Sequence, residues 1–400
     1  MPDKSWQRRR RQGPGGRRWR RYGWKSPVEK YLIDNFKVPV LSIEGLKGHE
    51  RELRRAHIVL AFTVQFYAHT VPLSEPITVP QSLTVPLLRV SKELQHAPFI
   101  TYSDHALHNW YLKEPHEASA PPTSDGVQIP TMFTGTPDEK NLYILDHSIE
   151  LEGAKAVELA RLITDEILGS DDPDVERVVG YLNRATAAIE EMKALLMSTT
   201  RFVKPEVFYD ELRPWFRGAD ADLWGREWAW EGREEVENST EMLTKVSGPT
   251  AGQSPLVPTL DAYFGLGEGE SKRAFLDRVC VYMNRGHDAF LQHLRSRGSH
   301  IRSFIQKISK EQGADSPVVT AYNAVVKAMK VFRDAHVIIV TLYAIVPSQK
   351  AKMRAMDQGK YVSGKPDGHI EKAGSEDSQG SQLMKLLKGF RDQVDRAYVG

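Results

Sequence analysis

Three segments of this 400-residue chain combine residue types whose spacing bears on chemistry. The first is Val331-Phe332-Arg333-Asp334-Ala335-His336-Val337-Ile338-Ile339-Val340, a helical run whose faces are nearly all apolar. Burial in such a run favours neutral imidazole, which keeps a lone pair for a metal. A single neutral histidine on a helix in an apolar pocket suits the iron of a b-type haem. The same pattern also suits a core histidine with one satisfied hydrogen bond, and His336 alone does not separate the two. In the second segment, Phe208-Tyr209-Asp210-Glu211-Leu212-Arg213, an aromatic precedes an arginine by about one and a half helical turns. Arg213 can hold a carboxylate bidentately while Phe208 lies against a flat ring. The third, Ser247-Gly248-Pro249-Thr250-Ala251-Gly252-Gln253-Ser254, is a small-residue loop ahead of an apolar stretch. Its backbone can approach a planar ligand closely and offer amides and the Thr250 hydroxyl.

The rest of the composition removes alternatives. A single cysteine, Cys280, excludes an intrachain disulfide, a four-thiolate iron–sulfur cluster, a zinc ribbon and a thioether-linked haem. It fits a reducing, cytoplasmic compartment. No phosphate-binding loop, dinucleotide fingerprint, HExxH, GxSxG or CxxC is present. No apolar run approaches the length needed to span a bilayer, so no membrane partner is expected. The net charge of +2 combines a +9 arm, residues 1–25, with a −7 body. The arm mixes Arg clusters with glycines and the aromatics Trp6, Trp19, Tyr22 and Trp24, and reads as disordered. It reads either as a nucleic-acid or anionic-surface contact or as a solubilising, vector-encoded or targeting tail. An acidic body does not reinforce the first.

The elements that must position the three segments are mostly helical. Apolar residues at 53, 56, 60, 64 and 67 predict a helix over 50–68, and the stripe from Val175 to Leu196 predicts another. Residues 273–296 and 318–346 read as two more long helices, and Gln382–Tyr398 as a closing amphipathic one. Five prolines over 71–98 predict extended chain or short turns, and a short helix is expected over 104–111. The prolines between 115 and 137 mark the domain boundary. The expected organisation is all-α in two domains: the arm 1–25, a small mixed N-terminal domain 26–125, and a large helical domain 126–400. Its polar segment 348–380 reads as a mobile loop.

In order, these segments resemble the indoleamine 2,3-dioxygenase family from about Ser26 onward. Thr250-Ala251-Gly252-Gln253-Ser254 is similar to the family's glycine-rich loop, and Phe275-Leu276-Asp277 with Tyr282-Met283 and His287 to its second signature. His336, followed by Ile339-Val340-Thr341 and Tyr343, matches the helix carrying the haem ligand. Pro80, Val85-Pro86, Val90-Ser91-Lys92, Thr101-Tyr102, Asp104 and Asn109-Trp110 repeat the small-domain pattern, and Phe133 to Glu139 also resembles the family. The resemblance implies haem b between two domains, dioxygen as co-substrate, and a reductant that keeps the iron ferrous. It implies insertion of dioxygen across the C2–C3 bond of an indole, tryptophan giving N-formylkynurenine. It makes His336 the axial metal ligand, Arg213 the carboxylate clamp, Phe208 the indole contact, and Thr250, Ala251 and Gly252 the distal loop. Tyr102 and His105 fall on the pocket wall, and Asp261 pairs with Arg333 to support the cofactor side.

Several departures from the family pattern fall on the pocket. Asp146 stands where the family usually has a serine, Leu142 where it has a phenylalanine, and His105 where small or phenolic side chains are common. Pro249 interrupts the paired glycines, and the C-terminal glycine loop shrinks to Asp377-Ser378-Gln379-Gly380. A buried Asp146 or His105 would add a proton donor or acceptor. That opens two readings: a modified indole substrate, or an indole mono-oxygenase or peroxygenase in which Asp146 or His105 handles protons. A haem-binding sensor without turnover is a further alternative, against which Arg213 and Phe208 argue. Asp104, His105 and His108 also read as a non-haem metal site, with no further ligand placed by sequence. The exact substrate and the oligomeric state are not expected to be readable.

Overall fold

The computed structural model of the protein describes residues 38–113, 126–222, 225–267, 269–357 and 384–400. The basic arm and the Asp377–Gly380 remnant lie outside the described residues. Helix α1 (Glu50–Thr70) forms where expected, but of the predicted stripe only Leu53 and Val64 are buried; Ala56, Leu60 and Tyr67 are half-buried, and Ile58, Ala61, Phe62 and Ala68 complete the buried face. Strand β1 (Ile77–Val79) follows, and then helix α2 (Gln81–Leu94) forms where the five prolines predict extended chain. Pro80 caps this helix, and Pro86 removes one backbone hydrogen bond inside it. Burial of Val85, Leu87, Leu88, Val90 and Leu94 outweighs that loss.

The short helix expected over 104–111 is a single π turn, Ser103–Leu107. Strands β2 (Tyr111–Leu112) and β3 (Val127–Gln128) pair antiparallel. Helix α3 (Pro137–Gly169) then begins at a dense cap. The Glu139 carboxylate accepts from the backbone amides of Phe133, Thr134 and Gly135 and from the Tyr143 hydroxyl at 3.0 Å. Gly135 takes a positive φ of 64° there, as the turn requires.

Helix α4 (Val175–Phe202) packs along α3. The main core forms between these two, α5 (Leu256–Phe264), α8 (His300–Gln312) and α9 (Pro317–Val340). The predicted helix over 273–296 is two: α6 (Glu270–Val279) and α7 (Arg285–Arg297), separated by a 3₁₀ turn at Cys280–Tyr282. Cys280, Tyr282 and Met283 are buried at that break, and Asn284 takes the N-cap position of α7. Beyond α9 the chain passes through a π turn, Thr341–Ile345, into α10 (Val346–Asp357). The helix therefore enters the segment read as a loop from 348; residues 358–383 lie outside those described.

A second core gathers around α1 and β1. It is completed by Phe133, Tyr143 and Trp230, with Trp215, Phe216 and Val246 packed against it. Strand β4 (Trp228–Trp230) pairs parallel with β1, Ile77 opposite Trp228. The architecture is thus predominantly helical, with a small strand-containing N-terminal region and a large helical domain. No described helix is long and apolar enough to cross a membrane.

Candidate functional site

His336 lies one turn from the end of α9, half-buried, beside the buried Arg333 and Ala335. Its imidazole makes no hydrogen bond to any described residue. Desolvation, assisted by the Arg333 charge, depresses its pKa, so it is neutral near pH 7. Of the two readings of this histidine, the one with a satisfied hydrogen bond finds no such bond among the described residues.

Two ties hold the His336 segment in place, one on each side. Upstream, Arg333 donates to Asp261 of α5, and Lys272 of α6 lies 2.7 Å from the other carboxylate oxygen. Burial alone would raise the Asp261 pKa, but the Arg333 and Lys272 charges outweigh it and hold the carboxyl below its ordinary range. Arg333 Nη1 is buried with no acceptor among the described residues. Downstream, the Tyr343 hydroxyl points at the carbonyls of Val203 (2.6 Å) and Thr199 (2.9 Å), at the end of α4. Its ring meets Phe208 edge-on at 5.8 Å. Phe208 thus joins Leu142, Leu145, Val203 and Ile339 in one apolar cluster.

Phe208 and Arg213 sit on consecutive tight turns, a π turn at Phe208–Leu212 and a 3₁₀ turn at Arg213–Phe216. The buried Leu212 anchors them, and the Arg213 guanidinium lies over the Tyr209 ring at 5.0 Å. The glycine loop is pinned from behind. Thr250 caps the 3₁₀ turn Ala251–Gln253 by accepting from the Gly252 amide, while Thr250 and Ala251 remain exposed. Gln253, buried, accepts from the Tyr102 amide at 2.9 Å and donates to the Gly248 carbonyl at 3.0 Å. A Cβ on Gly252 would stand 2.6 Å from the Phe275 ring, and one on Gly248 only 1.9 Å from the Phe216 carbonyl oxygen. These contacts explain why small residues occupy the loop.

Tyr102, His105 and Asp146 come together. His105 Nε2 lies 3.2 Å from Asp146 Oδ2, and its ring stacks on Phe216 at 5.6 Å and meets Tyr102 edge-on at 5.1 Å. One turn past Asp146 on α3 is Glu150, a residue given no role by its sequence pattern. Its carboxyl accepts from the Tyr102 hydroxyl at 3.0 Å and from the Ser254 hydroxyl at 2.5 Å. Burial pushes its pKa up to about 7, against both hydrogen bonds. Its i+4 spacing from Asp146 was the available signal, but Glu152 and Glu158 nearby look no different in sequence.

Asp104, His105 and His108 do not converge. His105 turns to Asp146, His108 lies 3.0 Å from the Asn284 amide, and Asp104 faces His57. Three other groups, His57, His96 and Asp104, do bring ligand atoms within 4.8 Å of one another. His57 Nδ1 is 2.8 Å from the Asp104 carboxylate and its Nε2 3.0 Å from the Ala97 carbonyl. Both are acceptors, so His57 donates from both nitrogens as an imidazolium. Burial opposes that charge, but Asp104 outweighs it and raises the His57 pKa. Cys280 is buried, and desolvation raises its thiol to about 11, so it is inert.

Fold and site together define a predominantly helical protein in which a neutral histidine near the end of α9 is flanked by the Arg333–Asp261 and Tyr343–Val203 ties. The family model described as indoleamine 2,3-dioxygenase matches residues 29–397, and the chain belongs to that family. It is 28% identical to human indoleamine 2,3-dioxygenase 2 over 367 residues, covering 90% of this chain and 82% of that protein. It is also 28% identical to the Saccharomyces cerevisiae indoleamine 2,3-dioxygenase, covering 91% and 82%. A 6-hydroxytryptophan 2,3-dioxygenase of Fusarium equiseti is 27% identical, covering 89% and 84%.

Proposed function

We propose that this chain is a haem b-dependent dioxygenase that inserts dioxygen across the C2–C3 bond of tryptophan or a tryptophan-derived indole, giving an N-formylkynurenine-type product. The observation that carries the reading is His336: neutral, half-buried, and without a hydrogen bond to a described residue. Haem fits the residues present. His336 would offer the iron a ring nitrogen, and the buried Arg333 Nη1 is a donor with no acceptor among the described residues. When bound and reduced, the haem supplies dioxygen activation.

The side chains then act by positioning. Arg213 takes the substrate carboxylate, and Phe208, braced by Tyr343, meets the indole face. Thr250, Ala251 and Gly252 border the ligand with a hydroxyl and backbone amides. Asp261 fixes Arg333 and thereby the helix of His336. The Phe208, Leu142, Leu145 and Ile339 cluster excludes water. Similarity to dioxygenases of indoleamines and of 6-hydroxytryptophan supports an indole substrate.

The test is anaerobic reduction of haem-loaded protein, followed by tryptophan and oxygen, with formylkynurenine absorbance as readout. Haem-loaded protein that leaves tryptophan and its ring-substituted relatives unchanged overturns it. The His105–Asp146 pair favours a second reading, an indole mono-oxygenase in which that pair handles a proton. Labelled dioxygen separates the two: both atoms in one product molecule mean dioxygenation, one atom means mono-oxygenation.

A further inference from the structure

Along one face of α3 an apolar stretch gives way to two acidic side chains. On one side, Leu142 and Leu145 pack with Phe208, Ile339 and Tyr343. One turn on from Leu142 stands Asp146, its side chain about a quarter exposed, and one turn further Glu150 is tied to Tyr102. Asp146 Oδ2 is occupied by His105 Nε2 at 3.2 Å; no described donor reaches Oδ1. His105 cannot swing away. Its side chain is only 6% exposed, stacked on Phe216 and bordered by Tyr102 and Tyr143. The carboxylate is therefore aimed by a locked partner, with one acceptor atom to spare.

We propose that Asp146, positioned by His105, is a specificity-determining acceptor for a hydrogen-bond donor carried on the ring system of the indole ligand. The inference rests on the indole-enzyme reading above. The physical reason is asymmetric. A half-buried carboxylate against a ring with no donor loses solvent without compensation, whereas one against a donor forms a charge-assisted hydrogen bond. A site built this way discriminates against the ligand that lacks the group far more than an apolar wall does. Two ring groups carry this chemistry, the indole N–H and a ring hydroxyl.

The experiment is equilibrium binding to the haem-loaded protein, read from perturbation of the Soret band and by calorimetry. The ligands are L-tryptophan, its benzothienyl analogue with sulfur in place of N–H, and the 4-, 5- and 6-hydroxy-L-tryptophans. The wild type should bind one donor-bearing ligand about 10- to 100-fold tighter than its donor-less counterpart. A preference for tryptophan over the benzothienyl analogue assigns the N–H; a preference for one hydroxytryptophan over tryptophan assigns the hydroxyl. In Asp146→Leu, which removes the acceptor at similar shape, that ratio should fall to within about threefold, and Asp146→Asn should restore part of it. His105→Phe, which keeps the ring stack on Phe216, should also lower the ratio, an effect that lost packing alone does not produce. Ratios within about threefold for every pair in the wild type overturn the proposal even if the variants do not fold. So does an unchanged ratio in folded Asp146→Leu. Failure of every ligand to bind haem-loaded protein instead overturns the indole-enzyme reading itself.

Discussion

Asp261 on α5 closes onto Arg333, three residues before His336 on α9, with Lys272 completing a buried three-charge cluster. The helix that follows the glycine loop and the helix that carries the histidine are thereby joined by charge. Replacing Asp261 by Ala would strand two buried cations. Breaking a buried pair from one side costs about 3–5 kcal/mol, so Asp261→Ala should show a correspondingly lower urea midpoint and a lower haem content.

The same carboxyl has a pH signature. Its folded pKa lies below the ordinary 3.8, so its stabilisation is fully present above that value and is lost as the pH falls through the folded one. Urea midpoints measured between pH 5 and pH 2 should drop more steeply for the wild type than for Asp261→Asn.

Glu150 has the opposite sign. With its folded pKa pushed up to about 7, the native state keeps a proton that the unfolded chain has already lost above its ordinary 4.5. Stability should therefore decline as the pH rises across that window, by an amount on the order of 3 kcal/mol. Glu150→Gln, which cannot ionise, should flatten the decline, and urea titrations from pH 4.5 to 8 measure it.

His336→Ala should leave the apoprotein within about 1 kcal/mol of the wild type, because no hydrogen bond to a described residue is lost. It should abolish the Soret band after haem addition while the far-ultraviolet circular dichroism is unchanged. Haem should raise the melting temperature of the wild type alone.

The two loop glycines should differ. A methyl group on Gly252 meets the Phe275 ring, which can shift, whereas one on Gly248 meets the fixed Phe216 carbonyl. Gly252→Ala should cost about 1–3 kcal/mol, the usual range for overpacking. It should be relieved by adding Phe275→Leu. Gly248→Ala should cost more, with no side-chain rescue, as thermal melts of the three variants would record.

For the buried His57–His96–Asp104 group, zinc and a chelator should both leave the melting temperature unchanged, since His57 donates from both nitrogens.

How far the sequence discloses this arrangement depends on where the information sits. Helices α1, α4 and α9 carry their own apolar periodicity, so their existence is readable from short windows. Helix α2 is not, because its prolines signal a break and only tertiary burial of Val85, Leu87 and Leu88 overrides them. The break at Cys280–Tyr282 is announced only by Asn284 and Gly286 just beyond it, and it coincides with burial of Tyr282 and Met283 against the rest of the fold. Within the site, the Asp261–Arg333 pair follows from the resemblance, and the structure joins the two side chains. The partners chosen by Asp104 and His108 do not follow from spacing: each turns to a residue far along the chain, His57 or Asn284, rather than to its neighbour one turn away.

The parallel pairing of Ile77 with Trp228 sets an order of events during synthesis. The N-terminal core cannot seal until the segment holding Trp215, Phe216 and Trp230 has been made. At 5–20 residues per second that delay is on the order of ten seconds. Throughout it, the open edge of β1 awaits a partner about 150 residues away, a slow closure by any loop-entropy argument. A chain cut at residue 125 would leave that edge unpaired and lack Phe133, Tyr143 and Trp230 from the core. The boundary expected near residue 125 is therefore not a seam for folding, and expression of the N-terminal part alone should yield aggregate rather than a domain.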